Sequence, residues 1–244
     1  MRIDIWSDVV CPWCFVGKRR LERALDRLGW RDRVEVRWRA FQLDPRASRQ
    51  PGDLRASLER KYGPGAFDAM TRRLGALGEE EGIGFRFDRA VRVNTFDAHR
   101  LVTWADDTSG AAGQDALVEG LFVAYFEQGR NIADPGTMVE VAAGAGLDRD
   151  RASEVVASDA YAAEVRADLE AAVDRQLTGV PAFVVADRLL IPGAQEVDTF
   201  VAVLTRAAER CQPRPGAPSP GTRPEHGPDP AQGQGLTAGP RRRR

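Results

Sequence analysis

The chain is short of the residues that build metal sites and covalent scaffolds. It holds three cysteines and two histidines among 244 residues. With Cys211, His99 and His226 as the only such residues outside one close cysteine pair, a four-ligand zinc site cannot be assembled, and no metal is expected. No apolar run approaches the ~18 residues of a transmembrane helix. Asp4 and Asp8 interrupt "MRIDIWSDVV", where a secretory signal would need an unbroken apolar stretch. A cytoplasmic protein is therefore expected, without a membrane partner. The formal net charge of -1 leaves no global field to recruit nucleic acid or an anionic surface, so neither is expected as a partner. Lysine is nearly missing too, with Lys18 and Lys61 beside many arginines.

What is present is an ordinary globular balance, 43% hydrophobic and 29% charged, in a chain long enough for a sizeable core. Ile3 to Ser7 is short, β-branched and aromatic, which suggests a strand. From Pro12 to Leu28, Phe15, Leu21, Leu25 and Leu28 recur at near-helical spacing, with Pro12 at a tolerated first-turn position and Gly29 as the stop. Val34, Val36, Trp38 and Ala40 then alternate with charged residues, as a strand does. Strand, helix, strand makes a βαβ unit.

From Asp53 to about Leu177 the pattern is mostly helical. Breaks fall at Gly63-Pro64, Gly82 to Gly84, Gly110, Asp134-Pro135 and Gly144 to Gly146, with one short extended piece suggested at "GFRFD". "AFVVA" and "LLIP" read as two strands turning at Asp187-Arg188, and Val197 to Arg210 as an amphipathic helix. The expected organisation is an α/β domain from residues 1–42 and 165–211, a helical insertion over 43–164, and a disordered Pro/Gly/Arg-rich tail over 212–244.

Cys11 and Cys14 open the first helix as "CPWC". Positions three apart lie on one helix face, within the reach a disulfide needs. The helix N-terminus offers unpaired N–H groups and a positive dipole end, both favourable to a sulfur anion. Cys11, at the mouth, is assigned the attack and Cys14, a turn inside, the resolving role. Val180-Pro181 precedes a strand, where proline removes a ladder donor. A cis bond there would turn the chain sharply and leave Val180 backbone groups for an extended substrate.

The order CPWC, helical insertion, Val-Pro, ββα resembles the thioredoxin-fold DsbA family. "DVVCPWCFVGKRRLE", "VRWRAFQLDP", "NTFDAHRL" and "GVPAFVV" followed by "IPGAQ" look like its cytoplasmic FrnE-type branch. The resemblance runs from Arg2 to about Arg210. It implies a thioredoxin-like fold and a thiol–disulfide oxidoreductase with a redox-active disulfide, Cys11 and Cys14 being the pair and Pro181 the cis-proline facing them. No bound cofactor is expected; glutathione is a candidate co-substrate. The implied partner is a disulfide-containing protein, peptide or small thiol.

Secreted members of the family carry histidine between the cysteines, where this chain has Pro12 and Trp13. Trp13 brings no positive charge, so a less oxidising couple than DsbA's is expected. Around the thiols, Pro12, Trp13 and Val180 are candidate substrate contacts. The resemblance places "NTFDAHRL" near the centre, making Asn94 or His99 a further contact; local capping is the other reading of both. Gly193, Ala194 and Gln195 precede the last helix, whose N–H groups suit a carboxylate such as glutathione's, though a plain turn explains them equally. Trp38, Phe41 and Trp104 are candidates for a hydrophobic rim. Two alternatives keep the fold. One is a glutathione-dependent isomerase or transferase on an aromatic or polyketide-like molecule, resembling 2-hydroxychromene-2-carboxylate isomerase or the kappa-class transferases, whose members usually have serine at the Cys11 position. The other is a non-catalytic peptide-binding module.

Overall fold

The computed structural model describes residues 1–211; the expected tail over 212–244 and the Cys211 side chain lie outside the described residues. Strand β1 (Arg2–Ser7) buries every residue after its first. It is a central strand of a sheet ordered β2-β1-β3-β4, with β2 (Glu35–Ala40), β3 (Ala182–Val185) and β4 (Leu189–Pro192). β1 runs parallel to β2, Ser7 opposite Ala40, and antiparallel to β3, Ile5 opposite Phe183 and Trp6 opposite Ala182. Burial on both faces explains its near-continuous apolar run. The one charge inside it, Asp4, is held by Arg2 and Arg39.

Helix α1 (Pro12–Leu28) starts at the proline and ends on Gly29 in the left-handed region, φ 63°, where glycine carries no Cβ penalty. It buries Phe15, Val16, Leu21, Ala24 and Leu25 and packs against α8 (Val197–Cys211). Between β2 and β3 come α2 (Leu54–Tyr62), α3 (Ala66–Glu81), α4 (Phe96–Phe122) with a π-helical turn (Val123–Glu127), α5 (Pro135–Gly144), α6 (Arg149–Ala157) and α7 (Ala162–Asp174). This is a thioredoxin-like βαβ…ββα core with a large helical insertion. α4 and α7 both pack on β2, and residues 1–211 form one compact unit. The 164/165 boundary falls inside α7. α4 passes through Gly110 with a kink, φ 65°, instead of stopping there.

Two local expectations are corrected. "GFRFD" forms no strand. Its Phe85 stacks on Phe87 at 4.9 Å and meets Phe126 and Phe15 edge-on at 5.2 and 6.3 Å; the alternation fills an aromatic cluster. The β3–β4 turn centres on Ala186 and Asp187, φ 50° and 56°, one residue earlier than read. Arg188 N–H donates to the Val185 carbonyl at 3.1 Å, closing a turn whose twist suits a hairpin.

Candidate active site

Cys11 is the N-cap of α1. It has extended backbone (φ -93°, ψ 111°), no side chain caps the helix, and the first turn holds no acidic residue. The leading N–H groups and the positive dipole end are thus left to the sulfur. The Cys11 N–H donates to the Asp8 carbonyl at 2.9 Å, which pins the strand-to-helix corner. Cys11 is only 3% exposed, and its Sγ lies 3.7 Å from the Val180 carbonyl oxygen.

Cys14 is fully buried. Burial, then the neighbouring Cys11 sulfur, push its thiol well above the ordinary cysteine range, while the Ser7 hydroxyl and the Asp8 backbone act weakly the other way. Both cysteines are free thiols, and burial favours the neutral form of Cys14.

The Val180-Pro181 bond is cis. The Pro181 carbonyl accepts from Gly193 N–H at 2.7 Å, joining the loop to the end of β4. On the other side it meets α1 at Gly17, where a Cβ would stand 3.0 Å from both Pro181 Cγ and Phe183 Cζ. A side chain at position 17 would push the proline away from the thiol helix. Among the described residues, Val180 N–H donates to no acceptor.

The structure thus gathers Cys11, Cys14, Val180, Pro181 and Gly193. Pro12 and Trp13 are half-buried beside them, and the Arg73 guanidinium of α3 sits over the Trp13 ring at 5.5 Å. Ala194 and Gln195 are both tied down: the Ala194 carbonyl accepts from Arg20 of α1 at 3.0 Å, and Gln195 Nε2 donates to the Pro192 carbonyl at 2.6 Å. His99 is buried, with Nε2 3.5 Å from Asp8 Oδ1.

Asn94 needs correction as a substrate contact. Its amide nitrogen donates to the Pro45 and Ala47 carbonyls, and its oxygen accepts from Phe96 N–H and Gln42 Nε2. All four hydrogen-bonding positions are spent, three on the 42–48 loop and one on the first turn of α4. Trp38 and Trp104, each 4% exposed, are core residues and form no rim; Trp38 Nε1 donates to Asp115 Oδ1 at 2.9 Å.

Sequence reasoning missed Ser7, Asp8, Gly17 and Arg73. Only Gly17 carried a signal, as a glycine inside a helix that tolerates it at about 1 kcal/mol. A cavity of about 620 Å³ lies beside Trp104, Leu147 and Tyr161 and holds neither cysteine. Among the described residues, no cluster of three His, Cys, Asp or Glu side chains could hold a metal, and no helix is long and apolar enough to cross a membrane.

Known proteins share this fold. The DSBA-like thioredoxin domain matches residues 2–205. A probable DsbA oxidoreductase from Streptomyces coelicolor superposes with a TM-score of 0.81 at 36% identity, covering 92% of this chain and 97% of its own. The uncharacterized protein YwbO of Bacillus subtilis is 28% identical over 202 residues, which is 82% of this chain and 94% of that one. The fold is also that of the cytosolic disulfide reductase DsbM from Pseudomonas aeruginosa, at a TM-score of 0.63 and 17% identity, covering 86% of this chain and all of its own; that protein has also been solved with GSH. A CXXC pair at the head of α1, in a sheet and insertion that match this domain over residues 2–205, makes the chain a member of the DsbA family of thioredoxin-fold oxidoreductases.

Proposed function

We propose that the protein exchanges disulfides by a two-thiol mechanism in which Cys11 attacks and Cys14 resolves. The observation that carries this reading is the meeting of the Cys11 sulfur and the Val180 carbonyl at 3.7 Å, with Cys14 buried beneath. In the reductive direction the Cys11 sulfur attacks one sulfur of a substrate disulfide and the other leaves as a thiolate. Cys14 then attacks Cys11, the substrate sulfur departs, and two electrons have passed to substrate as the enzyme disulfide closes. An extended substrate strand would take its main-chain pairing from Val180, with cis-Pro181 setting the angle of approach.

Glutathione is the candidate small thiol. The GSH complex of the DsbM fold supports it, and so does the N-terminus of α8 behind Gly193. The "CPWC" and "NTFDAHRL" stretches support the FrnE-type branch and a cytoplasmic site of action, in keeping with cysteines used for chemistry more than for crosslinks.

Insulin reduction with Cys11→Ser and Cys14→Ser tests the roles. Both variants should lose turnover, and Cys14→Ser should accumulate a mixed disulfide on Cys11 in cell extract, whose attached partner identifies the substrate. Turnover retained by both variants would end this reading; a trap formed on Cys14 would reverse the assignment.

A further inference from the structure

Arg20 lies in the middle of α1 and is 5% exposed, so its guanidinium must find its partners inside the protein. Its Nε donates to Glu81 Oε1 at 2.7 Å. Its Nη1 donates to the Ala194 carbonyl at 3.0 Å and pairs with Glu196 Oε1 at 2.7 Å. Glu81 is the last residue of α3, where the negative end of the helix dipole opposes a carboxylate. Its side chain is nonetheless 4% exposed. A carboxylate buried there costs stability unless cations hold it. Arg20 and Arg23 take one oxygen each, both at 2.7 Å. An apolar pair of the same size would serve packing as well. What the ion pair adds is direction: with Nε fixed on Glu81, the planar fork aims Nη1 at one carbonyl.

That carbonyl belongs to the segment that holds the proline. Gly193, at φ 72°, donates its N–H to the Pro181 carbonyl at 2.7 Å, and Ala194 is the next residue. Pro181 follows Val180, whose own carbonyl stands 3.7 Å from Cys11 Sγ. Pro181 also meets α1 at Gly17, three residues before Arg20 and so on the same helix face. Gly17 sets how near the proline loop can come to the thiol helix, and Arg20 sets how far it can move away. Glu196, with its side chain 74% exposed, adds little to that hold.

We propose that Arg20 is a positioning residue for peptide substrates. Held by Glu81, its guanidinium fixes Ala194 and, through Gly193, the cis-proline loop at the spacing from Cys11 that lets a substrate strand pair with Val180. The inference rests on the strand-pairing reading given above. Arg20 acts through Ala194 and Gly193, so its removal weakens the binding of a backbone and leaves the reactivity of the sulfur alone. A disulfide with no backbone to pair has no use for it.

Two substrates with one leaving group test this. One is a bare nitroaryl disulfide; the other is an extended peptide whose single cysteine carries the same nitroaryl thiol. Reduced enzyme is mixed with an excess of either, and the first equivalent of coloured thiolate reports attack by Cys11. A bond forms from Cys11 to the substrate sulfur, and the aryl sulfur leaves with the electron pair. Arg20→Met should raise the half-saturation concentration for the peptide at least ~5-fold, the scale of one lost hydrogen bond. The limiting rate, and the rate with the bare disulfide, should stay within about twofold of wild type. Arg23→Ala removes the other cation on Glu81 and leaves the Ala194 contact, so both substrates should stay within about twofold. Unchanged peptide binding in Arg20→Met overturns the proposal. So does a slowing shared equally by both substrates, which general loosening of the fold would give, or a weakening in Arg23→Ala that matches Arg20→Met. Should Arg20→Met fail to fold with Glu81 left buried, Arg20→Met combined with Glu81→Leu removes both charges and carries the same outcomes. If wild type releases nothing that depends on Cys11, the dithiol mechanism fails. If it binds the peptide no better than the bare disulfide, the strand-pairing reading fails, and both results are distinct from those on Arg20.

Discussion

Three helices of the insertion and the helix of the thiols begin in opposite ways. α2, α5 and α6 each start on an aspartate, Asp53, Asp134 and Asp148, whose carboxylate accepts a backbone N–H of the first turn at 2.8 to 2.9 Å. Each such cap contributes about 1 kcal/mol. α1 starts on Cys11, with no capping side chain and no acid in its first turn. The difference separates two uses of one electrostatic feature. At α2, α5 and α6 a carboxylate satisfies the N-terminus. At α1 the N-terminus is left to the Cys11 sulfur, and the stability of a cap is forgone.

The largest expected effect breaks this contrast directly. Cys11→Ser puts a good capping hydroxyl at the same position, so disulfide exchange should vanish while stability rises by about 1 kcal/mol. Thermal unfolding would show that as an increase of ~2–4 °C; a decrease would refute the idea that α1 sacrifices a cap. The glycines provide the next test. In α1, Gly17→Ala forces a Cβ to 3.0 Å from Pro181 and Phe183. Overpacking of about 1–3 kcal/mol should then outweigh the ~1 kcal/mol helix gain and displace the proline loop, lowering both stability and exchange rate. In α3, Gly75→Ala meets nothing within 4 Å and should stabilise by up to ~1 kcal/mol with exchange unchanged. Denaturant midpoints of the two variants should move in opposite directions.

The redox potential sharpens the comparison from the chemical side. With Trp13 in place of a charged group, equilibration with glutathione should give a value at least ~30 mV more negative than DsbA's ≈ −120 mV. A cation nonetheless reaches the motif from the insertion, since Arg73 stacks over Trp13 at 5.5 Å. Arg73→Ala should lower the potential further by about 10 mV, the scale of one screened surface charge. Smallest in consequence for function, Asp134→Ala should cost about 1 kcal/mol of stability and leave exchange untouched.

Much of this frame was legible in the chain. The α1 limits follow from Pro12 and Gly29, which act locally, and β1, β2 and β3 follow from short apolar runs with clear ends. Cys11 and Cys14 were legible because spacing alone puts them on one face. What was hidden depends on contacts between distant segments. Phe85 and Phe87 alternate as strand residues do, yet they have aromatic rings to pack on and no strand to pair with. Asn94 looked available until the 42–48 loop closed on its amide. Nothing in "SDVVC" announces that Asp8 will face His99, because that meeting is made by α4 returning to the end of β1. Gly17 was an anomaly in a helix whose reason, Pro181, lies at the far end of the chain.

The covering of Cys11 has a consequence for survival of the enzyme. A sulfur anion normally invites peroxide, passing through sulfenic acid to the sulfinic and sulfonic forms that thiol reductants do not reverse. At 3% exposure Cys11 offers only a narrow approach, which slows a freely diffusing oxidant as it does any molecule not held in place, and Cys14 behind it would close a sulfenate as a disulfide. Under oxidant stress the pair should accumulate as the reversible disulfide while more open thiols are lost for good.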